Sequence, residues 1–282
     1  MRNLAKEACE TCNPAACNSS TCEAKKPGHV PPHELTHIKH VIGIMSGKGG
    51  VGKSSVTALL AVALKQAGYR VGILDADITG PSIPRMFGVH RPPEGTGNGM
   101  IAPESPGGIR IMSLNLLLPH EDDPVIWRGP LIGGAVKQFW TDVIWGDLDY
   151  LLVDLPPGTG DAPLTVLQSL PLDGLVIVSS PQELAHMVVR KAVKMATIMN
   201  VKILGLVENM SYALCPDCGR EIYLFGPSRA EEAAAGAGIP LLGTLPLDPE
   251  LTSLCDRGRV EEYSGPLLAR AREFVRKIAG RS

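Results

Sequence analysis

The stretch Val41-Ile42-Gly43-Ile44-Met45-Ser46-Gly47-Lys48-Gly49-Gly50-Val51-Gly52-Lys53-Ser54 decides the fold. Its first part, residues 41–45, reads as a short buried strand. A glycine-rich turn follows. An aliphatic helical pattern then runs from about Lys53 to Ala67 and stops at Gly68. Residues 47 to 54 satisfy the spacing G-x-x-x-x-G-K-[ST]. In that arrangement glycines let backbone N–H groups converge on phosphate oxygens where a side chain would intrude. The following helix points its positive end at the same anion. Lys53 is placed to neutralise the β- and γ-phosphates, and the Ser54 hydroxyl to coordinate Mg²⁺. Strand before and helix after are the context that the motif requires.

Outward from this loop, short apolar runs alternate with helical patterns. Strands are expected at residues 71–74, 109–114, 150–153, 175–178, 203–207 and 241–245, with helices at 131–145, 184–199 and 264–279. That alternation predicts an α/β fold with a doubly wound, mostly parallel sheet. Ligands in such sheets bind at the carboxyl ends of the strands. Two strands end there in acids. Residues 150–153 run into Asp154, placed to hold Mg²⁺ through water, and 71–74 into Asp75-Ala76-Asp77, of which one could orient the attacking water. Asp161 either caps a helix starting near Ala162 or touches the nucleotide.

Bulk properties agree with this reading. Of 282 residues, 44% are hydrophobic but only 4% aromatic, which suits a parallel sheet of aliphatic strands under helices. The formal net charge of −2 gives no electrostatic case for nucleic acid as a partner. The apolar run at 56–64 is too short to span a bilayer, and the first 30 residues contain no apolar signal core, so a cytoplasmic protein without membrane partners is expected. Residues 1–38 form a cysteine- and proline-rich tail with no persistent helix or strand period, and 39–282 a nucleotide-binding domain.

The residues Lys48-Gly49-Gly50-Val51-Gly52-Lys53-Ser54 resemble the deviant Walker A motif of the family containing nitrogenase iron protein, MinD and the arsenite-pump ATPase. Four further segments narrow the match. They are Asp75-Ala76-Asp77-Ile78-Thr79-Gly80-Pro81-Ser82, Asp154-Leu155-Pro156-Pro157-Gly158-Thr159-Gly160-Asp161, Glu208-Asn209-Met210-Ser211 and Cys215-Pro216-Asp217-Cys218. Together they look like the Mrp or ApbC-type iron–sulfur cluster carriers, a resemblance covering about residues 39–282. The resemblance implies a P-loop ATPase, expected to be slow, that binds ATP, Mg²⁺ and a 4Fe–4S cluster. It implies a homodimer serving a cluster-assembly scaffold and apo iron–sulfur proteins. Lys48 would act on the partner's nucleotide, Asp77 would position the hydrolytic water, Asp154 would open the second switch, and Asn209 would recognise the adenine edge. Ser55 stands where many relatives have Thr and keeps the hydroxyl.

Seven cysteines complete the reading. Cys215 and Cys218 form a C-x-x-C, half of a four-ligand site, which the same pair from a second copy completes most simply. A structural zinc knuckle is the competing reading. Cys9, Cys12, Cys17 and Cys22, spaced C-x2-C-x4-C-x4-C, could wrap one 4Fe–4S cluster, a zinc ion, or nothing. Cys255 stands alone and reads as a small buried residue. Two other functions stay open: a MinD- or ParA-like spatial regulator, for which the basic, partly amphipathic residues 267–282 could dock on lipid, and a metal-binding scaffold subunit of a hetero-complex.

Overall fold

The structure, a computed structural model, describes residues 30–77, 80–118, 129–182 and 185–280. Seven strands form the central sheet: β1 (His37–Ser46), β2 (Val71–Asp75), β3 (Arg110–Ser113), β4 (Asp147–Asp154), β5 (Gly174–Ser179), β6 (Ile203–Glu208) and β7 (Leu241–Thr244). Across the sheet their order is β7-β6-β5-β1-β4-β2-β3, and every neighbouring pair is parallel. Strands β2 to β4 lie to one side of β1 and β5 to β7 to the other. Winding therefore reverses at β1, and the loop after it opens into the crevice at the carboxyl edge.

Why these strands are continuous apolar runs follows from their burial on both faces. Along β1, Ile42 and Ile44 join one core while Val41 and Met45 join the other. In β5, Val176 and Val178 alternate in the same way with Leu175 and Ile177. The first core is shared with α1 (Lys53–Gln66) and α2 (Ile83–Met86). The second includes side chains of α3 (Gly129–Thr141), α4 (Asp161–Ser169), α5 (Ala185–Ile198) and α6 (Ala230–Ala237). Completing the first face are α7 (Pro249–Asp256) and α8 (Pro266–Ala279).

Three departures from the sequence reading have physical reasons. The helix expected over 131–145 ends at Thr141. Beyond it the β-branched pair Val143–Ile144 pairs in parallel with Gly99–Ile101, itself antiparallel to Glu94–Thr96. Trp145 is then fully buried, its indole N–H donating to Phe139 O at 3.0 Å. Helices α6 and α7 were not anticipated, although Asp248 followed by Pro249 is a helix start. The Asp248 carboxylate accepts from Glu250 N and Leu251 N, at 2.8 and 3.1 Å. Asp161 proves to be the first residue of α4 rather than its cap, which is Gly160.

The cysteines at 9, 12, 17 and 22 lie outside the described residues. From Val30 onward the chain is fastened to the domain. Val30 O accepts from the Trp140 indole at 2.8 Å, and His33 bonds to Asn98 O at 2.6 Å. A cavity-forming change in the sheet tests the packing argument. Ile73→Ala, at a fully buried position of β2, is expected to cost about 2–5 kcal/mol in urea unfolding.

Candidate functional site

The loop between β1 and α1 has the form that its glycines permit. Gly50 and Gly52 take φ of 78° and 75°, and Gly52 is the N-cap of α1 without any side-chain cap bond. No acid occupies the first turn of α1, so its N-terminal N–H groups and positive dipole end are left to an external anion. In front of them is a cavity of about 250 Å3, lined by residues 49–55 together with Ser46, Asp77, Ser82, Met86 and Pro157. Of the predicted loop, residues 49–54 line this space, with Asp77 at its wall, whereas Gly47 and Lys48 do not.

Beneath the loop, Lys53 is 5% exposed and Asp154 0% exposed, and they form an ion pair at 2.7 Å. The same Asp154 oxygen accepts from Ser54 Oγ at 2.6 Å. Its other oxygen accepts from Thr57 Oγ1 at 2.7 Å. Lys53 Nζ is also 3.6 Å from Asp77. In this cluster the hydroxyls and carboxylates supply hard oxygen donors of the kind Mg²⁺ uses, and the lysine supplies a positive charge for phosphate. Thr57 was missed by sequence reasoning. The available signal was its place one helical turn after Lys53, which turns its hydroxyl to β4.

Asp75 has another role. It is buried, and its carboxylate accepts from Asp77 N at 3.2 Å, Ile83 N at 3.3 Å and Ser113 Oγ at 3.4 Å. Burial, reinforced by the nearby Asp154 charge and opposed by Lys53, pushes its pKa from 3.8 up to about 8. It is therefore the anchor of the loop that carries Asp77.

Lys48 donates to Gln182 Oε1 of the same chain. Asn209, which follows β6, donates from Nδ2 to Val51 O at 3.0 Å and so packs against the phosphate loop itself. Asn209 and Met210 also line a second cavity of mixed character, with Val56, Leu59 and Leu245 to Leu247 on its apolar side and Asp248 and Thr252 among its polar groups. Ser55 lines both cavities, so the two adjoin.

Beyond β6 the chain forms a small antiparallel hairpin, Ala213–Leu214 with Glu221–Ile222, and Cys215 and Cys218 occupy its turn. Gly219 N donates to Cys215 O at 2.9 Å and Cys215 N to Arg220 O at 2.9 Å. N–H groups of Cys218 and Asp217 directed at the Cys215 sulfur lower its pKa, favouring the thiolate that ligates metal. Cys218 is exposed. Leu214, Ile222, Tyr223, Leu224 and Phe225 around the turn are exposed as well, between 44% and 59%. Cys255 is buried in the core, and burial raises its thiol to about 11, as befits a packing residue. Among the described residues no group of three or more His, Cys, Asp or Glu side chains could hold a metal, and Cys215 and Cys218 stand on the turn as a pair of thiols.

A family model described as ParA, NUBPL iron-transfer P-loop NTPase, matches residues 37–280. The chain belongs to this family. A relative named iron–sulfur cluster carrier protein, from Clostridium perfringens, is 46% identical over 267 residues, covering 90% of this chain and 94% of its own. Another of the same name, from Methanocaldococcus jannaschii, is 49% identical over 226 residues, covering 79% and 78%. Among solved structures, a nucleotide-binding protein from Archaeoglobus fulgidus in complex with ADP superposes with a TM-score of 0.73 at 48% identity, covering 81% of this chain and 90% of that one. MinD of Aquifex aeolicus, at 20% identity and a TM-score of 0.61, covering 86% of this chain and 98% of its own, shares the fold. The NUBPL-type NTPase chain thus carries the nucleotide-binding loop and the doubly wound sheet of its family.

Two outcomes test the site geometry. In Gly52→Ala the new Cβ would sit 2.3 Å from Asn209 Nδ2 at a left-handed φ. About 1–3 kcal/mol of strain is expected to lower nucleotide affinity roughly tenfold in calorimetric titration. Asp75, protonated in the fold but free to ionise when unfolded, favours folding fully below pH 3.8, and that contribution fades as pH climbs to about 8. Asp75→Asn is expected to flatten this fall in thermal unfolding across that pH range.

Proposed function

We propose that the chain is an ATP-binding, slowly hydrolysing carrier that holds a 4Fe–4S cluster between two copies and passes it to apo-proteins. The observation that carries this reading is the half-site at Cys215 and Cys218. Two thiols on an exposed turn, ringed by exposed apolar side chains, suit ligands completed by a second copy rather than a closed structural metal. The relatives' names supply the cargo. A second four-cysteine cluster site at Cys9, Cys12, Cys17 and Cys22 belongs to the same proposal.

In this reading the phosphates enter the cavity before α1, and Lys53 turns from Asp154 towards them. Asp154 and Ser54 are the residues that would hold Mg²⁺, which would neutralise charge on the β- and γ-phosphates. The purine lies in the adjoining cavity, whose polar side chains Ser55, Asn209, Asp248 and Thr252 include Asn209 for its edge. Asp77 orients a water for attack on the γ-phosphorus. The bond from that phosphorus to the β–γ bridging oxygen breaks, and ADP leaves with phosphate. A water-positioning carboxylate without a strong base is weak catalysis, so turnover is slow. Lys48 releases Gln182 and reaches the partner's nucleotide as the two copies close.

The membrane-docking alternative is disfavoured by α8. Its apolar side chains Leu267, Leu268, Ala271, Phe274, Val275 and Ile278 are all buried in the core. Among the described residues, no helix is long and apolar enough to cross a membrane.

Anaerobic purification with iron and sulfide analysis and absorption spectra tests the cargo. Wild type is expected to bind iron and acid-labile sulfide, and Cys215→Ala/Cys218→Ala to lose the bridging cluster while any tail cluster persists. A truncated variant lacking residues 1–29, which removes all four tail cysteines and leaves β1 and its anchors at Val30 and His33 in place, separates the two. Colourless, zinc-loaded protein that resists reconstitution overturns the carrier reading. Lys53→Ala is expected to abolish nucleotide binding and to impair transfer to an apo-protein, and undiminished transfer would separate transfer from the nucleotide.

A further inference from the structure

Only five residues lie between Asn209, which touches the phosphate loop, and Cys215. This short strap is zipped to the loop that follows β7. Leu245 N donates to Glu208 O at 2.8 Å, Ser211 N to Leu245 O at 2.9 Å and Leu247 N to Tyr212 O at 2.7 Å. Ala213 forms a parallel bridge with Leu247. Since Leu245 and Leu247 wall the second cavity, the strap is coupled to that wall.

One side chain fastens both pieces from outside. Arg270, on α8, donates from Nη1 to Thr244 O at 2.8 Å and from Nη2 to Tyr212 OH at 2.8 Å. Thr244 is the last residue of β7, next to the cavity wall. Tyr212 is buried, and its ring packs on that of Tyr223, with centroids 5.8 Å apart. Tyr223 directly follows the second hairpin strand. Between Asn209 and Tyr212, Met210 takes φ of 59°, one of two non-glycine residues with positive φ among those described. Such a conformation persists only where the surroundings impose it. A planar guanidinium can hold two acceptors at a fixed separation; an ammonium on a flexible stem cannot.

We propose that Arg270 is a positioning residue that transmits occupancy of the second cavity by a nucleotide's purine to the Cys215–Cys218 turn. A purine entering the cavity displaces residues 245–247. Arg270 and the hydrogen-bond ladder carry that displacement to Tyr212, and Tyr212 carries it to both strands of the hairpin. This rests on the reading that a purine nucleotide binds here, and it names the route by which nucleotide and cysteines are coupled.

The test uses the full chain, free of iron and reduced, with iodoacetamide as the probe. Alkylation rates of Cys215 and Cys218 are read separately by peptide mass spectrometry, with and without a saturating non-hydrolysable ATP analogue and Mg²⁺. Wild type is expected to change its rate about fivefold or more on adding nucleotide, the lower end of ordinary coupling between sites. Tyr212→Phe keeps the ring but loses the acceptor, and Arg270→Lys keeps the charge but loses the fork. Both are expected to bind nucleotide within about twofold of wild type and to lose most of the rate change. A rate change preserved in both variants overturns the proposal, as does a wild type without one. Mass photometry on the same samples adds a third arm: a response that disappears together with self-association assigns the effect to assembly and overturns the clamp. Because no cluster is present, failure to bind iron in the preceding experiment leaves this result standing, so the two readings fail separately.

Discussion

The buried pair of Lys53 and Asp154 is the interaction on which the rest of the site depends. Two opposite charges almost out of water at 2.7 Å are tolerable only because every oxygen of the carboxylate is occupied. Removing one partner from such a pair typically costs about 3–5 kcal/mol, since the other is left buried and uncompensated. The pair also joins the two halves of the chemistry. Lys53 opens α1, Asp154 ends β4, and β4 lies beside β1 in register, so the helix start and the acid are fixed by the sheet. A phosphate entering the cavity competes with Asp154 for the lysine, which makes the pair a natural point of exchange between protein and ligand.

Around this pair the sheet acts as a rigid frame with several carboxyl-edge loops hung on it. Asp75 shows how the frame governs a loop. Its raised pKa and its bonds to Asp77 N, Ile83 N and Ser113 Oγ come from the same burial, so the segment bearing Asp77 is pinned at both ends. The cysteine hairpin differs. It stands outside the two cores, and its exposed apolar side chains have no cover within the described chain. Its links to the frame include the strap after β6, the Tyr212–Arg270 contact and, on the far side, the Ser228 hydroxyl donating to Glu208 at 2.6 Å. A turn held this lightly can respond to its neighbours in a way that a turn buried in the core could not.

How much of this was legible depended on whether the signal was local. Glycines at 50 and 52, Lys53 and Ser54 are constrained by their own backbone and by the strand and helix beside them, so they announce a phosphate loop before any contact is known. Asp154 was legible because an acid ending an apolar strand has few other reasons to be there. Thr57 was not, because a threonine one turn into a helix becomes meaningful only when β4 brings Asp154 to 2.7 Å. The end of α3 at Thr141 was misjudged for a similar reason. Val143–Ile144 has a tertiary partner at Gly99–Ile101, some forty residues away, that outweighs the apolar helical period.

The sequence by itself determined the α/β alternation, the anion-binding loop and the presence of two thiols at metal-ligand spacing, because each rests on residues close together in the chain. Only the tertiary structure decided which groups share a charge or a cavity. It turned Lys53 onto Asp154, placed Asn209 against Val51, and set Gln182 beside Lys48 across more than a hundred residues of chain. It also connected the cysteine turn to the cavity wall through Arg270. These are matters of sheet order and register, and the physical reason is plain: the parallel sheet, whose crossovers separate neighbouring strands widely in sequence, brings together groups that no local pattern relates.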